Sequence, residues 1–362
     1  MTGKKIYLTA KQFYVIIIIL FILANLLIPL SFYAYKASQS RLTEIEDPNK
    51  PLFELGGGTP ENVLGEASNS ANLTPEQQQE ILKQKFNQDY KDKLTIIFYY
   101  NGYANQPEAM RYINVLKEAL AIVEPFATSN NITTKIFTTP EQKCSVKPKN
   151  NIKLLDCDRS LISSFNALGI EHFKLVVLSP LEFAPVAKIA RGKNSAIYLS
   201  TYQGTAPNDQ FNRWLGLIFS HELGHSLGLI DEYALSAESN ILKDEDQSAS
   251  YRSQKPNCAP DMNSARQWWG NFINPTESTE SASIGIFPGC GGKDTYYYPE
   301  KNTLMSNDPT KEGYGRVSTE YLRAAIDCFY ANQGQITYPA GTTGKYESCE
   351  KFKKEYPDFW KE

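Results

Sequence analysis

Histidine is nearly absent from this chain, with three in 362 residues against 22 tyrosines. Any chemistry that needs an imidazole must therefore use His172, His221 or His225. A dominant charge is lacking too: Lys plus Arg number 37 and Asp plus Glu 40, a formal net charge of −3. No field of either sign is large enough to draw in nucleic acid or an anionic membrane surface, so nucleic acid is not an expected partner. No Cys-x-x-Cys pair occurs, which removes the common zinc-ribbon and dithiol motifs. There is no internal repeat. What is plentiful is core-forming material: 41% of residues are hydrophobic and 21% charged, ample for one large core or two small ones.

One long apolar run stands at the N-terminus. Phe13 to Tyr35 reads FYVIIIILFILANLLIPLSFYAY, slightly longer than the ~20 residues needed to cross a bilayer core. A cleaved signal peptide competes, but its apolar region is ~7–15 residues and ends at small residues, and no Ala-x-Ala site follows here. Lys4, Lys5 and Lys11 precede the run, and Glu44, Glu46 and Asp47 lie beyond it, a modest positive-inside bias. The expected layout is a short cytoplasmic tail (1–12), a single-pass anchor (13–35), a flexible tether (36–73) and one domain (74–362) outside the cytoplasm, at the cell surface or in the periplasm. The tether carries GGGTPENVLGEASNSAN, too polar and glycine-rich to offset its own ordering entropy. Thr74-Pro75-Glu76-Gln77 then offers an N-cap, a first-turn proline and a capping-box glutamine for a helix toward Tyr90.

All six cysteines follow the apolar run. In an oxidising compartment they read as disulfides rather than free buried thiols, and proximity favours Cys144–Cys157, Cys258–Cys290 and Cys328–Cys349 among the 15 pairings that six cysteines allow. Between Leu94 and Ser200 strands and helices alternate. LTIIFYY, ITTKIFTT, FKLVVLS and SAIYLS read as strands, and the segments from Pro107 and Arg159 as helices. The expected class is α/β, a mixed sheet with a site-bearing helix and then a looser, turn-rich C-terminal half. SAIYLS is either an edge strand along which an extended chain could pair or an ordinary interior strand.

Two of the three histidines fall together in HELGHSLGLIDEY, His221 to Tyr233. The segment Asp209–Leu227 has apolar residues at Phe211, Leu215, Ile218 and Phe219 and no proline, so it predicts a helix. Residues four apart on a helix are offset by only ~40°, so His221 and His225 share one face and can reach one ion. Zinc accepts that geometry. Glu222 lies ~100° further round, placed to act on a water rather than to join the ligands. If the helix ran on, Asp231 would be ~9 Å along the axis and out of reach. Gly228 can adopt a left-handed conformation and end it, turning Asp231 back beneath the histidines as a third, oxygen ligand. Glu232 and the more distant Glu245 are alternative third ligands. His172, at a strand entrance, reads as structural or surface.

Downstream, NTLMSND places Met305, one of four methionines, among turn-forming residues; packing alone would make it core filler. A Gly-x-x-Asp extension followed by such a methionine resembles the metzincin clan of zinc peptidases, which implies that Met305 forms a hydrophobic floor under the metal. More narrowly, the stretch from LTIIFYYNGY through HELGHSLGLIDEY, KPNC, GIFPGCGG and YYYPEKNTLMSND to YLRAAI, Leu94 to Ile326, resembles the bacterial IgA-peptidase-type zinc metallopeptidase family. Asn101-Gly102-Tyr103 departs from the Asp-Gly-Tyr of that pattern. The resemblance implies a metzincin-like endopeptidase acting on a polypeptide, with Zn2+ on His221, His225 and Asp231 and with Glu222 as general base to a zinc-activated water. It does not imply immunoglobulin as substrate. A surface module binding protein or carbohydrate around a structural or vestigial zinc, and a zinc hydrolase of another bond, are the alternative functions.

Overall fold

The computed structural model describes residues 92–138, 144–149, 152–157, 161, 165, 172–188, 195–204, 208–233, 256–274, 283–292, 294–306, 313–331, 333–338 and 344–355. The expected span Phe13–Tyr35, the tether, the helix from Thr74 and Glu245 lie outside these residues. No helix among the described residues is long and apolar enough to cross a membrane.

The fold is mixed α/β. Its centre is a five-stranded sheet in the order β2-β1-β5-β7-β6, built from β1 (Leu94–Tyr100), β2 (Ile132–Thr138), β5 (Phe173–Ser179), β6 (Val186–Lys188) and β7 (Ser195–Ser200). The first four in that order are parallel, and β6 is antiparallel to β7. Every residue of β1, β5 and β7 is buried, as expected of parallel strands covered on both faces. Because successive side chains alternate, each strand feeds two cores. Ile96, Phe98, Val176, Leu178, Ile197 and Leu199 face the helical side. Ile97, Tyr99, Leu175, Val177, Ala196 and Tyr198 face the other.

That second face is covered by the hairpin β3 (Cys144–Lys149) and β4 (Ile152–Cys157), with Leu161 and Phe165, the described positions of the expected Arg159 helix, both helical and buried. Cys144 pairs directly with Cys157 in the hairpin register, and a disulfide joins them. The other two bridges are Cys258–Cys290 and Cys328–Cys349, so the three pairings favoured by proximity are those found.

Two helices lie on the first face. Helix α1 (Gln106–Ile122) starts where Asn105 Oδ1 accepts the Glu108 N–H at 3.0 Å, with proline in its first turn. It packs closely on α2 (Asn208–Ser226), where a Cβ on Gly216 would lie 3.3 Å from that of Ala119. Helix α2 buries Phe211, Leu215, Phe219 and Leu223, a stripe at the 3.6-residue period.

One alternative closes and one expectation needs correction. Of its two readings SAIYLS takes the interior one: β7 pairs with β5 on one side and with β6 on the other, so β6 is outermost among the described residues. The C-terminal half is not merely loose. It contains α3 (Met262–Trp269), the antiparallel pair β8 (Ile284–Pro288) and β9 (Tyr297–Glu300), α4 (Gly315–Ala325) continued by a π-helical turn at Ile326–Tyr330, and α5 (Cys349–Glu355). Helix α4 buries Val317, Tyr321 and Leu322, with Tyr321 and Leu322 joining the core beneath α2.

Candidate metal centre

Helix α2 ends because of Gly228. Its φ of 106° is open to glycine at little cost. The Gly228 N–H bonds to His225 O at 2.9 Å and the Leu229 N–H to Gly224 O at 3.0 Å, the paired contacts of a Schellman stop. The chain reverses, and Asp231 comes back to the face that carries His221 and His225. The three donors converge: His221 Nε2 and His225 Nε2 are 3.0 Å apart, and Asp231 Oδ1 lies 3.1 and 3.3 Å from them.

Both imidazoles are held from behind. His221 Nδ1–H donates to Leu304 O at 2.7 Å and His225 Nδ1–H to Leu229 O at 3.0 Å. A carbonyl can only accept, so in each neutral ring the proton sits on Nδ1 and Nε2 presents a lone pair. Two lone pairs and a carboxylate oxygen thus face one point. With both rings neutral none can donate to another, and Asp231 Oδ1 is buried with no hydrogen-bond partner although both imidazoles are near. The donor separations match the edge of a tetrahedron with bonds of ~2.0–2.1 Å, ~3.3 Å. A cation there would satisfy all three donors, and two imidazoles with a carboxylate oxygen are a set that zinc accepts.

Without a cation, a proton takes that role. Burial opposes charge on His225, but the Asp231 carboxylate, with help from Glu222 and the Leu229 carbonyl, raises its pKa to about 9. Burial likewise opposes charge on Asp231, and the two histidines outweigh it, holding its carboxyl well below the usual carboxylate range. A metal bound there near neutral pH would displace that proton.

Glu222 is buried on α2, and its charge is felt at His225 and at Tyr233. Burial first, and then the charges of Asp231 and Glu222, raise the Tyr233 hydroxyl far above its ordinary range and keep it protonated. Glu232 is turned away from the histidines. Its Oε1 accepts from Asn257 Nδ2 at 3.1 Å and its Oε2 from Thr303 Oγ1 at 2.6 Å, and burial lifts its pKa to about 8 against those two donors. His172 lies at the entrance to β5, edge-on to Tyr330 with ring centroids 6.1 Å apart.

Met305 is fully buried against α2. A Cβ on Gly224 would come within 3.0 Å of Met305 Sδ and 2.7 Å of Tyr314 Cε1, and the Tyr314 hydroxyl donates to Ser220 O. The Thr303–Met305 segment also supplies the Leu304 carbonyl to His221 and the Met305 carbonyl to the Glu232 N–H. Gly224→Ala is expected to force Met305 and Tyr314 outward at a cost of ~1–3 kcal/mol. Thermal unfolding checks this, and an unchanged Tm would show that the floor is not tightly packed.

Sequence reasoning did not assign roles to Asn257, Thr303, Tyr233 and Tyr314. Asn257 had one signal, its place beside a disulfide cysteine in KPNC.

No protein-family model matches the chain, and no curated protein sequence matches it. Among solved structures, the archaemetzincin of Methanopyrus kandleri aligns with 41% of this chain and 86% of its own, at 12% identity and a TM-score of 0.26.

Proposed function

We propose that the chain is a zinc-dependent endopeptidase of the metzincin-like, bacterial IgA-peptidase type, tethered by Phe13–Tyr35 with its domain outside the cytoplasm. One observation carries the reading: His221 Nε2, His225 Nε2 and Asp231 Oδ1 face one point at 3.0–3.3 Å, beside a buried glutamate on the same helix. Three disulfides favour an oxidising compartment.

When bound, zinc would supply Lewis acidity, polarising the scissile carbonyl and acidifying water. The protein does the rest. Glu222 accepts the proton of the attacking water and passes it to the leaving amine. Tyr233 keeps its own proton beside Asp231. The carbonyls of Leu304 and Leu229 fix the tautomers of the two histidines. An extended substrate would pair its main chain with β6, the outermost strand among the described residues, which lies against α2.

The full-length protein purified in detergent is expected to contain about one zinc per chain. A chelator should abolish peptide cleavage and added zinc should restore it, as metal analysis and peptide digestion would show. Cleavage that survives complete metal removal would sink the reading.

A further inference from the structure

Asn257 is fully buried, and its amide is spent on the two neighbours of Asp231. Oδ1 accepts the Ile230 N–H at 3.1 Å, while Nδ2 donates to Ile230 O at 2.8 Å and to Glu232 Oε1 at 3.1 Å. One side chain therefore pairs both backbone groups of the residue before Asp231 and the carboxylate of the residue after it. The other side of Glu232 is held as well: Oε2 accepts from Thr303 Oγ1 at 2.6 Å and its N–H donates to Met305 O at 2.9 Å. The Asp231 carbonyl accepts from the Gly291 N–H at 3.2 Å. The backbone carrying Asp231 is thus tied on three sides by groups outside the donor set.

Asn257 is itself anchored. Cys258, the next residue, is bridged to Cys290, which adjoins Gly291. Ala259 then exchanges two backbone hydrogen bonds with Tyr297, at 2.8 and 2.9 Å. The disulfide joins the segments that grip Ile230 and Asp231.

We propose that Asn257 is the positioning residue for Asp231, fixing its carboxylate against the two histidines without touching the metal, and that metal affinity depends on this amide. The proposal rests on the reading of Asp231 as a ligand. The chemistry is specific to asparagine. Aspartate keeps the acceptor for the Ile230 N–H but has no donor for Ile230 O or Glu232. Alanine leaves all three groups short of a partner in a buried site, where an unpaired polar group is costly.

The test uses the full-length protein in detergent, stripped of metal, titrated with zinc(II) against a chromophoric chelator and separately with cobalt(II) while its visible absorption bands are recorded. Asn257→Ala is expected to weaken zinc binding by ~10–100-fold and to shift the cobalt bands as the carboxylate leaves its place, with far-ultraviolet circular dichroism unchanged. Asn257→Asp should weaken it in the same direction, and it decides the matter by the same readouts if the alanine variant does not fold. A folded variant that binds zinc as tightly as wild type and gives the wild-type cobalt spectrum overturns the proposal and leaves the metal site standing. Wild-type protein that binds neither metal overturns the reading of the site itself.

Discussion

Glu222→Gln is expected to lower peptide cleavage by ~10²–10⁴-fold while zinc stays at about one per chain. The reason lies in the geometry. His221, His225 and Asp231 meet at one point without Glu222, so metal binding should not need its charge, and glutamine keeps the shape and a polar head in a buried position. What glutamine cannot do is accept a proton from the attacking water. Zinc content and cleavage rate measured on the same preparation should therefore come apart. If both fall together, Glu222 is part of the metal site and the division of labour is wrong.

Asp231→Ala is expected to act on the metal first. It removes the only oxygen in the donor set and leaves two imidazoles, so zinc affinity should fall by more than the ~10–100-fold typical of losing an outer partner, and activity with it. The fold should persist, because the backbone at 230–232 is held by Asn257, Gly291 and Met305 and not by the Asp231 side chain. Competition with a chelator checks the affinity, and circular dichroism the fold. Zinc retained at wild-type affinity would mean that another residue completes the set. Glu232→Ala is not the harmless control that its position outside the donor set suggests, since Glu232 is buried and links Asn257 to Thr303.

The parts of this arrangement that could be read in the sequence are those built from short-range rules. β1, β5 and β7 are short, β-rich apolar runs, and their burial on both faces follows from that. Helix α2 runs Asn208–Ser226, a residue from the expected bounds at either end, because its apolar stripe and Gly228 are local signals. The β3–β4 hairpin was not legible as strands, since CSVKPK carries a proline and two lysines and its order comes from pairing with IKLLDC and the Cys144–Cys157 bridge. Helix α4 carries a local signal too, the amphipathic period of RVSTEYLRAA. At the site, the spacing of His221, His225 and Asp231 is a property of one helix and its stop. The supports are not local: Asn257 reaches Ile230 across 27 residues and Thr303 reaches Glu232 across 71. No periodicity or motif encodes such partners; only the folded chain brings them together.

The most direct test of zinc-dependent peptide hydrolysis is a digest of a diverse peptide library by zinc-loaded full-length protein beside zinc-loaded Glu222→Gln, with new N-termini identified by mass spectrometry. The wild type should generate new termini at a recurring set of bonds, and the variant few or none over the same time. A wild-type protein that holds its zinc yet gives the same peptide pattern as Glu222→Gln would contradict the account and leave a metal-binding surface module in its place.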